Sequence, residues 1–438
     1  MTSTWHNWSG VETAHPTAIM QPTSEEELVR IITRAAASGQ RVKAVGAGHS
    51  FTGLACTEGV LVNLDNMAGL IHVNKTTMTA RLRAGTRLRD IPGLLREHGV
   101  ALANQGDVDP QSVVGAISTG THGTGLGFTG FAGMVRAFRI ITADGHAHEC
   151  TPEATGTAGE LYRLARLSLG AVGIITEVEL DVVDTFVLHA VEAAEPIDAV
   201  APHFAQRAAG VDHFEYYWFP GTHVAHTKTN TRLPGTTTPR PLSRAKAMLE
   251  DELINNGLYR GLCELTHHVP ALTRPLAKVC AATLAQREYS DFAHDVFVTS
   301  RRVRFNEMEY AVPLDSATEV LEEITKVINN SDQRVLFPVE VRATAADDVP
   351  LSTAKGRQSC YIAIHRYHKD DHRALFRELE PIFTSAGGRP HWGKIHTLTH
   401  EELLDRHEDL AEFCHLRETV DPHGMFRNSM VDRVCGLA

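Results

Sequence analysis

The sequence predicts an α+β chain of two domains, and three observations carry that reading. Its 438 residues are 43% hydrophobic and 22% charged, enough material for two cores. Helical and strand periodicities alternate through the first half, with a hairpin signal at Ala143-Asp144-Gly145. After about residue 184 the pattern changes, and amphipathic helices alternate with strands in the manner of a second α+β unit on an antiparallel sheet. No internal repeat is visible.

The elements follow in order. Thr23-Ser24-Glu25-Glu26 fits a capping box, and Leu28, Ile31, Ile32 and Ala35 then share one helical face before Gly39. Residues 41–45 read as a strand feeding a glycine loop, and residues 60–64 as another. Residues 87–98 read as a helix with Ile91, Leu94 and Leu95 on one side. Residues 138–142 and 146–149 form the hairpin arms, 161–167 a helix and 173–183 a strand. Residues 226–244 are rich in threonine, proline and basic groups with little periodicity, and read as a long exposed loop or an ordered excursion. Residues 269–285, broken by Pro270 and Pro275, read as a buried helix, although this stretch could also touch a membrane or partner. Residues 316–328 and 372–386 read as helices, and 335–342 and 360–365 as strands.

A formal net charge of −11 with no basic stripe argues against nucleic acid or an anionic membrane as main partner. No window approaches the roughly twenty apolar residues of a membrane span. The first residues lack a charged n-region and an apolar h-region, so the cytoplasm is the expected compartment. Seven scattered cysteines without C-x-x-C spacing fit reduced thiols. Histidines are numerous at 25, and pairs such as His146/His148 and His365/His368 occur. No H-E-x-x-H or cysteine–histidine set accompanies them, so no metal is expected.

Two loops carry the chemistry: Val45-Gly46-Ala47-Gly48-His49-Ser50 and Ser118-Thr119-Gly120-Thr121-His122-Gly123-Thr124-Gly125. A diphosphate needs converging backbone N–H groups, and glycine lets the chain come close with positive φ. The serine and threonine hydroxyls add neutral donors. A Rossmann fingerprint is disfavoured, because Phe51 stands where the third glycine belongs and no helical pattern follows. Glu340 and Arg342, two apart on a predicted strand, point to one face. Alone they read as a structural ion pair, Lys394 as a solvated lysine, and His122 as a packed loop residue.

Taken together, six stretches in this order resemble the vanillyl-alcohol-oxidase type of FAD enzymes, and within them the aldonolactone oxidoreductases and alditol oxidases. They are residues 46–50, residues 115–125, Ser168-Leu169-Gly170-Ala171-Val172-Gly173-Ile174-Ile175-Thr176-Glu177, Glu340-Val341-Arg342, His391-Trp392-Gly393-Lys394 and Asp421-Pro422-His423-Gly424-Met425-Phe426-Arg427-Asn428. The resemblance implies a two-domain PCMH-type FAD-binding fold. An FAD-binding domain would span 1–183 and a substrate (cap) domain on an antiparallel sheet 184–418, with 419–438 returning to the first. FAD would lie against Gly46, Ala47, Gly48, His49, Ser50, Gly115, Ser118, Thr119, Gly120, Thr121, Gly123, Thr124, Gly173 and Ile175. His49 would bond covalently to the flavin 8α-methyl group.

The same resemblance implies roles for Glu340, Arg342, Lys394 and His365 as catalytic residues. Glu340 would orient substrate hydroxyls, Arg342 would stabilise negative charge on the flavin, and Lys394 would sit near flavin N1 and the C2 carbonyl, as both a catalytic and a cofactor-binding group. His365 and Tyr367 fall where alditol oxidases carry a His-x-Thr pair on the polyol, and the flat phenol of Tyr367 favours a ring substrate. The implied activity is oxidation of a sugar-derived alcohol, C2–OH of an aldono-1,4-lactone of the L-gulono-1,4-lactone type, with hydride to flavin N5 and an ascorbate-type product. The alternative is an alditol (xylitol or sorbitol) oxidase. The electron acceptor would be oxygen, or cytochrome c or a quinone, with the Gly115-Ala116 region as the place where oxygen access is set.

Overall fold

Leu28, Ile31, Ile32 and Ala35 line the buried face of the helix Glu25–Ala37, as their spacing predicts. The cap sits one residue later than expected. Ser24 accepts from the Glu27 N–H, and the Glu27 carboxylate reaches back to Thr23. This architecture comes from a computed structural model that describes residues 3–243, 257–282, 284, 286–299 and 302–437. The helix covers a three-stranded parallel sheet in the order Ala18–Met20, Val60–Asn63, Val42–Val45. Met425 and Phe426, near the far end of the chain, complete that small core, and Val42 N–H donates to Met425 O over 2.9 Å.

Beside it lies a five-stranded antiparallel sheet in the order 147–150, 135–141, 174–181, 79–83, 70–74, in which the expected hairpin turns at Gly145 with φ +79°. An eight-stranded antiparallel sheet follows in the order 287–292, 186–196, 224–234, 213–218, 339–344, 359–367, 305–313, 389–390. Helices Ala317–Asn330 and Arg373–Ser385 pack one face of it through Leu321, Ile324, Leu375 and Phe383. The other face turns toward the glycine loops, so the strands 305–313, 339–344 and 359–367 present alternate side chains to the first half of the chain. Among the described residues no helix is long and apolar enough to cross a membrane.

Three expectations are corrected. The supposed loop at 226–244 begins as the strand Val224–Pro234, paired along eleven residues with Phe186–Pro196, and only 235–243 is irregular; Arg244 lies outside the described residues. Its threonines suit a pleated surface, and its alternation was hidden because Lys228 and Asn230 are buried polar residues, Lys228 donating to Val296 O over 2.6 Å. The helix expected over 87–98 shrinks to Ile91–Arg96, because the N–H groups of Leu88 and Arg89 bond instead to the carbonyls of Gln111 and Asp109. The helix Thr273–Ala282 lies on the surface rather than buried. It hides Thr273, Ala277 and Ala281, while Val269 and Val279 are 42% and 55% exposed.

Candidate active site

Close approach of two backbones explains the first glycine loop. A Cβ on Gly46 would stand 2.2 Å from Ser112 Oγ and 3.1 Å from its Cβ, so glycine lets the loop lie on the start of the helix Val113–Thr119, while one on Gly115 would stand 2.8 Å from the same Oγ, which caps that helix. Gly48 turns with φ +67° against the Trp5 ring. The resulting cleft is walled by Gly46, Ala47, Gly48, His49, Ser50, Gly115, Ser118, Thr119, Gly173 and Ile175, all expected there from sequence. Thr121 and Lys394 wall an adjoining chamber. Gly120, Gly123 and Thr124, also expected against the cofactor, line neither the cleft nor the chamber. Gly120 ends the helix in the left-handed region, a Cβ on Gly123 would meet Gln105 O at 2.3 Å, and Thr124 Oγ1 donates to Phe214 O over 2.7 Å.

The cleft suits a diphosphate. Its walls combine the backbone of the glycine loop and the hydroxyls of Ser50, Ser112, Ser118, Thr119 and Ser168 with apolar side chains such as Leu54, Leu64 and Ile175, and among the described residues its charged wall groups are Lys43 and Asp65. Buried Lys43 donates to Gly170 O at 2.8 Å and to Phe426 O, near the far end of the chain, at 3.1 Å. Burial brings its ammonium down to about 8 against the pull of Asp421. At the junction of cleft and chamber stand His49, Ser50, Gln111 and Thr119, which belong to both. Gln111 Oε1 is buried there without a hydrogen-bond partner among the described residues, an acceptor left for a bound donor. Burial, then the charges of Lys394 and Arg87, lower His49 to about 4, so its ring is neutral near pH 7. Trp8 stacks on that ring, with centroids 5.2 Å apart.

The chamber, about 480 Å³, is bounded by the face of the large sheet. Glu340 and Arg342 share a face of the strand Val339–Thr344, as expected, and lie 2.6 Å apart. Arg342, however, is no free cation. Its Nε meets Glu215 at 2.7 Å, Asp107 is 3.4 Å away, and Nη2 donates to the Tyr217 hydroxyl over 3.3 Å. Burial would lower Arg342, but Glu340, Glu215 and Asp107 raise it well above its ordinary value. The same guanidinium holds buried Glu215 low.

On the neighbouring strand Phe305–Pro313 stand Glu307 and Glu309, both 5% exposed. Lys394 Nζ is hydrogen-bonded to Glu307 and lies 3.8 Å from Glu309. Burial alone would raise Glu307, yet Lys394 and then His365 hold it at about 2. Glu309 is likewise held well below its usual range, with His122 its strongest counter-charge. Lys394 is raised, because Glu307 and Glu309 outweigh its burial. His365 Nε2 is 3.5 Å from Glu307, and His122 Nε2 is 3.2 Å from Glu309. His391 stands behind them, lowered to about 4 chiefly by burial.

His122, Glu309 and His391 bring three donor atoms within 4.8 Å of one another. Their chemistry suits a hydrogen-bonded cluster better than a metal. His391 Nδ1 accepts the Gly393 N–H at 3.0 Å, which leaves its Nε2 protonated, and the ammonium of Lys394 already supplies positive charge.

Tyr367 does not face the chamber. Its hydroxyl donates to Glu264 at 2.7 Å on the helix Tyr259–His268, and it lines a second cavity on the far side of His365, so it gives no ground for a ring substrate. Sequence reasoning passed over Glu307 and Glu309, although Phe305-Asn306-Glu307-Met308-Glu309-Tyr310 alternates acidic and other residues at period two. Glu215 and Asp107 carried no comparable signal. Nor did the N-terminal segment, where Asn7 donates to Ser50 O over 2.9 Å and fastens the first glycine loop.

Comparison with known proteins agrees with this geometry. Residues 178–434 match the family described as D-arabinono-1,4-lactone oxidase, and residues 16–151 match the FAD binding domain. The chain is 36% identical to L-gulono-1,4-lactone dehydrogenase of Mycobacterium tuberculosis over 436 residues, covering all of both chains. It is 30% identical to L-gulonolactone oxidase of Bos taurus, covering 98% of each. Among solved structures it resembles cholesterol oxidase from Brevibacterium sterolicum, with a TM-score of 0.78 at 15% identity over 99% of this chain and 97% of that one.

Proposed function

This chain belongs to the D-arabinono-1,4-lactone oxidase family of FAD-dependent oxidoreductases, and from that premise we propose that it oxidises C2–OH of an aldono-1,4-lactone of the L-gulono-1,4-lactone type. The product would tautomerise to an ascorbate-type enediol. One observation carries the choice of a neutral sugar. Among the described residues, Asp107, Asp109, Glu307, Glu309 and Glu340 line the chamber against Arg342 and Lys394 as fixed cations. An excess of carboxylates accepts hydrogen bonds from a polyhydroxy ligand and repels an aldonate anion.

FAD, when bound, supplies the hydride acceptor. We assign its diphosphate to the glycine and hydroxyl cleft, its covalent attachment to the neutral His49 ring at the junction, and its N1 and C2 carbonyl side to Lys394. Glu340 accepts hydrogen bonds from substrate hydroxyls, and Arg342 fixes that carboxylate in place rather than offering charge of its own. His365 takes the proton of the oxidised hydroxyl at Nε2. Its Nδ1 already donates to Pro338 O at 3.1 Å, so the lone pair is on Nε2, which stands 3.5 Å from Glu307 at the chamber wall.

Turnover of L-gulono-, galactono- and arabinono-1,4-lactones should exceed that of xylitol and sorbitol. The reverse order would assign an alditol oxidase on the same fold. Flavin colour should stay with the acid-precipitated protein and be lost from it in His49→Ala; colour in the wild-type supernatant would contradict the covalent bond. Reoxidation by oxygen compared with cytochrome c or a quinone assigns the acceptor.

A further inference from the structure

Hydrogen-bond geometry fixes where the chamber histidines carry their first protons. A carbonyl oxygen can only accept, so His122 Nδ1, 2.8 Å from Gly123 O, and His365 Nδ1, 3.1 Å from Pro338 O, are both N–H donors. Each ring then turns Nε2 to a carboxylate, His122 to Glu309 at 3.2 Å and His365 to Glu307 at 3.5 Å. At 3.2 Å a lone pair facing a carboxylate is repulsive unless a second proton lies between them, whereas at 3.5 Å the demand is weaker.

The two pairs are not equivalent. Glu307 already holds the Lys394 ammonium, while the longer contact to His365 is at the limit of a hydrogen bond. Glu309 stands 3.8 Å from that ammonium and closer to His122. Two buried carboxylates on one strand face call for two cations, and Lys394 is one. His122 is placed to be the other. Its ring packs on Tyr361 with centroids 3.6 Å apart, and the His391 ring, whose Nδ1 accepts from Gly393, lies at 5.7 Å. The Tyr361 hydroxyl pairs with Thr353 at 2.7 Å, and its neutral phenol brings Glu309 no counter-charge.

We propose that His122 is a positioning residue: as the cationic partner of Glu309 it leaves Lys394 to Glu307, and so keeps His365 neutral with Nε2 free to receive the substrate proton. This rests on the reading of His365 as the proton acceptor. The proton passes from the substrate hydroxyl to His365 as the carbon gives up its hydride, and His122 neither gains nor loses one. Without the His122 charge, Glu309 competes for Lys394, and the missing cation is made up at His365.

His122→Gln tests this, because the amide can still donate to Glu309 while the charge is removed. The acid limb of the kcat–pH profile should move up by about one unit or more, since a base that is more readily protonated is lost at higher pH. Removing the carboxylate as well, in His122→Gln/Glu309→Gln, should return the limb toward the wild-type position. An unmoved limb in the single variant, or a double variant no closer to wild type, would overturn the proposal. A second readout needs no turnover. In protein labelled with 15N-histidine, His122 should show both ring nitrogens protonated near pH 7 and His365 only Nδ1, the signals being assigned by their loss in His122→Gln and His365→Gln. The opposite pattern overturns the inference, whatever becomes of the functional reading.

Discussion

Arg342 carries more structural duty than its place in a Glu-x-Arg motif suggests. Three buried or nearly buried carboxylates, Glu340, Glu215 and Asp107, converge on one guanidinium. Truncating it leaves those charges uncompensated, a change of about 3–5 kcal/mol. Arg342→Ala should therefore lower thermal stability as well as turnover, whereas Glu340→Gln should lower turnover by about two orders of magnitude and keep a wild-type melting profile. Thermal melting beside steady-state kinetics checks both, and an Arg342→Ala protein as stable as wild type would show the three acids to be neutralised in another way. The motif was legible because two residues of opposite charge at strand spacing stand out. Glu215 was not, because the residue that makes it important is 127 positions away in sequence.

Elements that return from a distance hold the glycine loops in place. Asn428 caps the helix Ser429–Cys435 through Oδ1 and the Val431 N–H, while its Nδ2 donates to the carbonyls of Gly53, Leu54 and Cys56, just beyond the first loop. Asn428→Ala removes a cap and orphans those carbonyls, with a cost of about 2–4 kcal/mol. A lower urea midpoint and faster loss of colour on dilution are expected, and an unchanged midpoint would show water taking over the role of the amide. Helices with a clear apolar stripe, such as Glu25–Ala37, were readable from spacing alone. The strand Val224–Pro234 was not, because its buried positions include Lys228 and Asn230 and its core side is assembled from polar groups with partners elsewhere. Proline set the start of Val339–Thr344 later than its apolar run suggests, since Pro338 cannot donate to the ladder.

Across the whole molecule, the cleft lies on the glycine loops of the first half and the chamber between those loops and the large sheet, with His49, Ser50, Gln111 and Thr119 common to both. That arrangement was legible in outline from six motifs, because each is a backbone requirement or a charge that local sequence must specify. The electrostatic character of the chamber was not, since it depends on which acids the fold gathers. Its carboxylate excess, on a chain of formal net charge −11, disfavours an anionic ligand. The most direct test is to add an aldono-1,4-lactone, and separately its open aldonate, to the purified flavoprotein without oxygen and to follow the visible flavin absorbance. We expect the lactone to bleach the flavin within the time of a turnover and the aldonate to leave it coloured. A flavin that no sugar lactone bleaches, or that the aldonate bleaches as fast, would contradict the assignment.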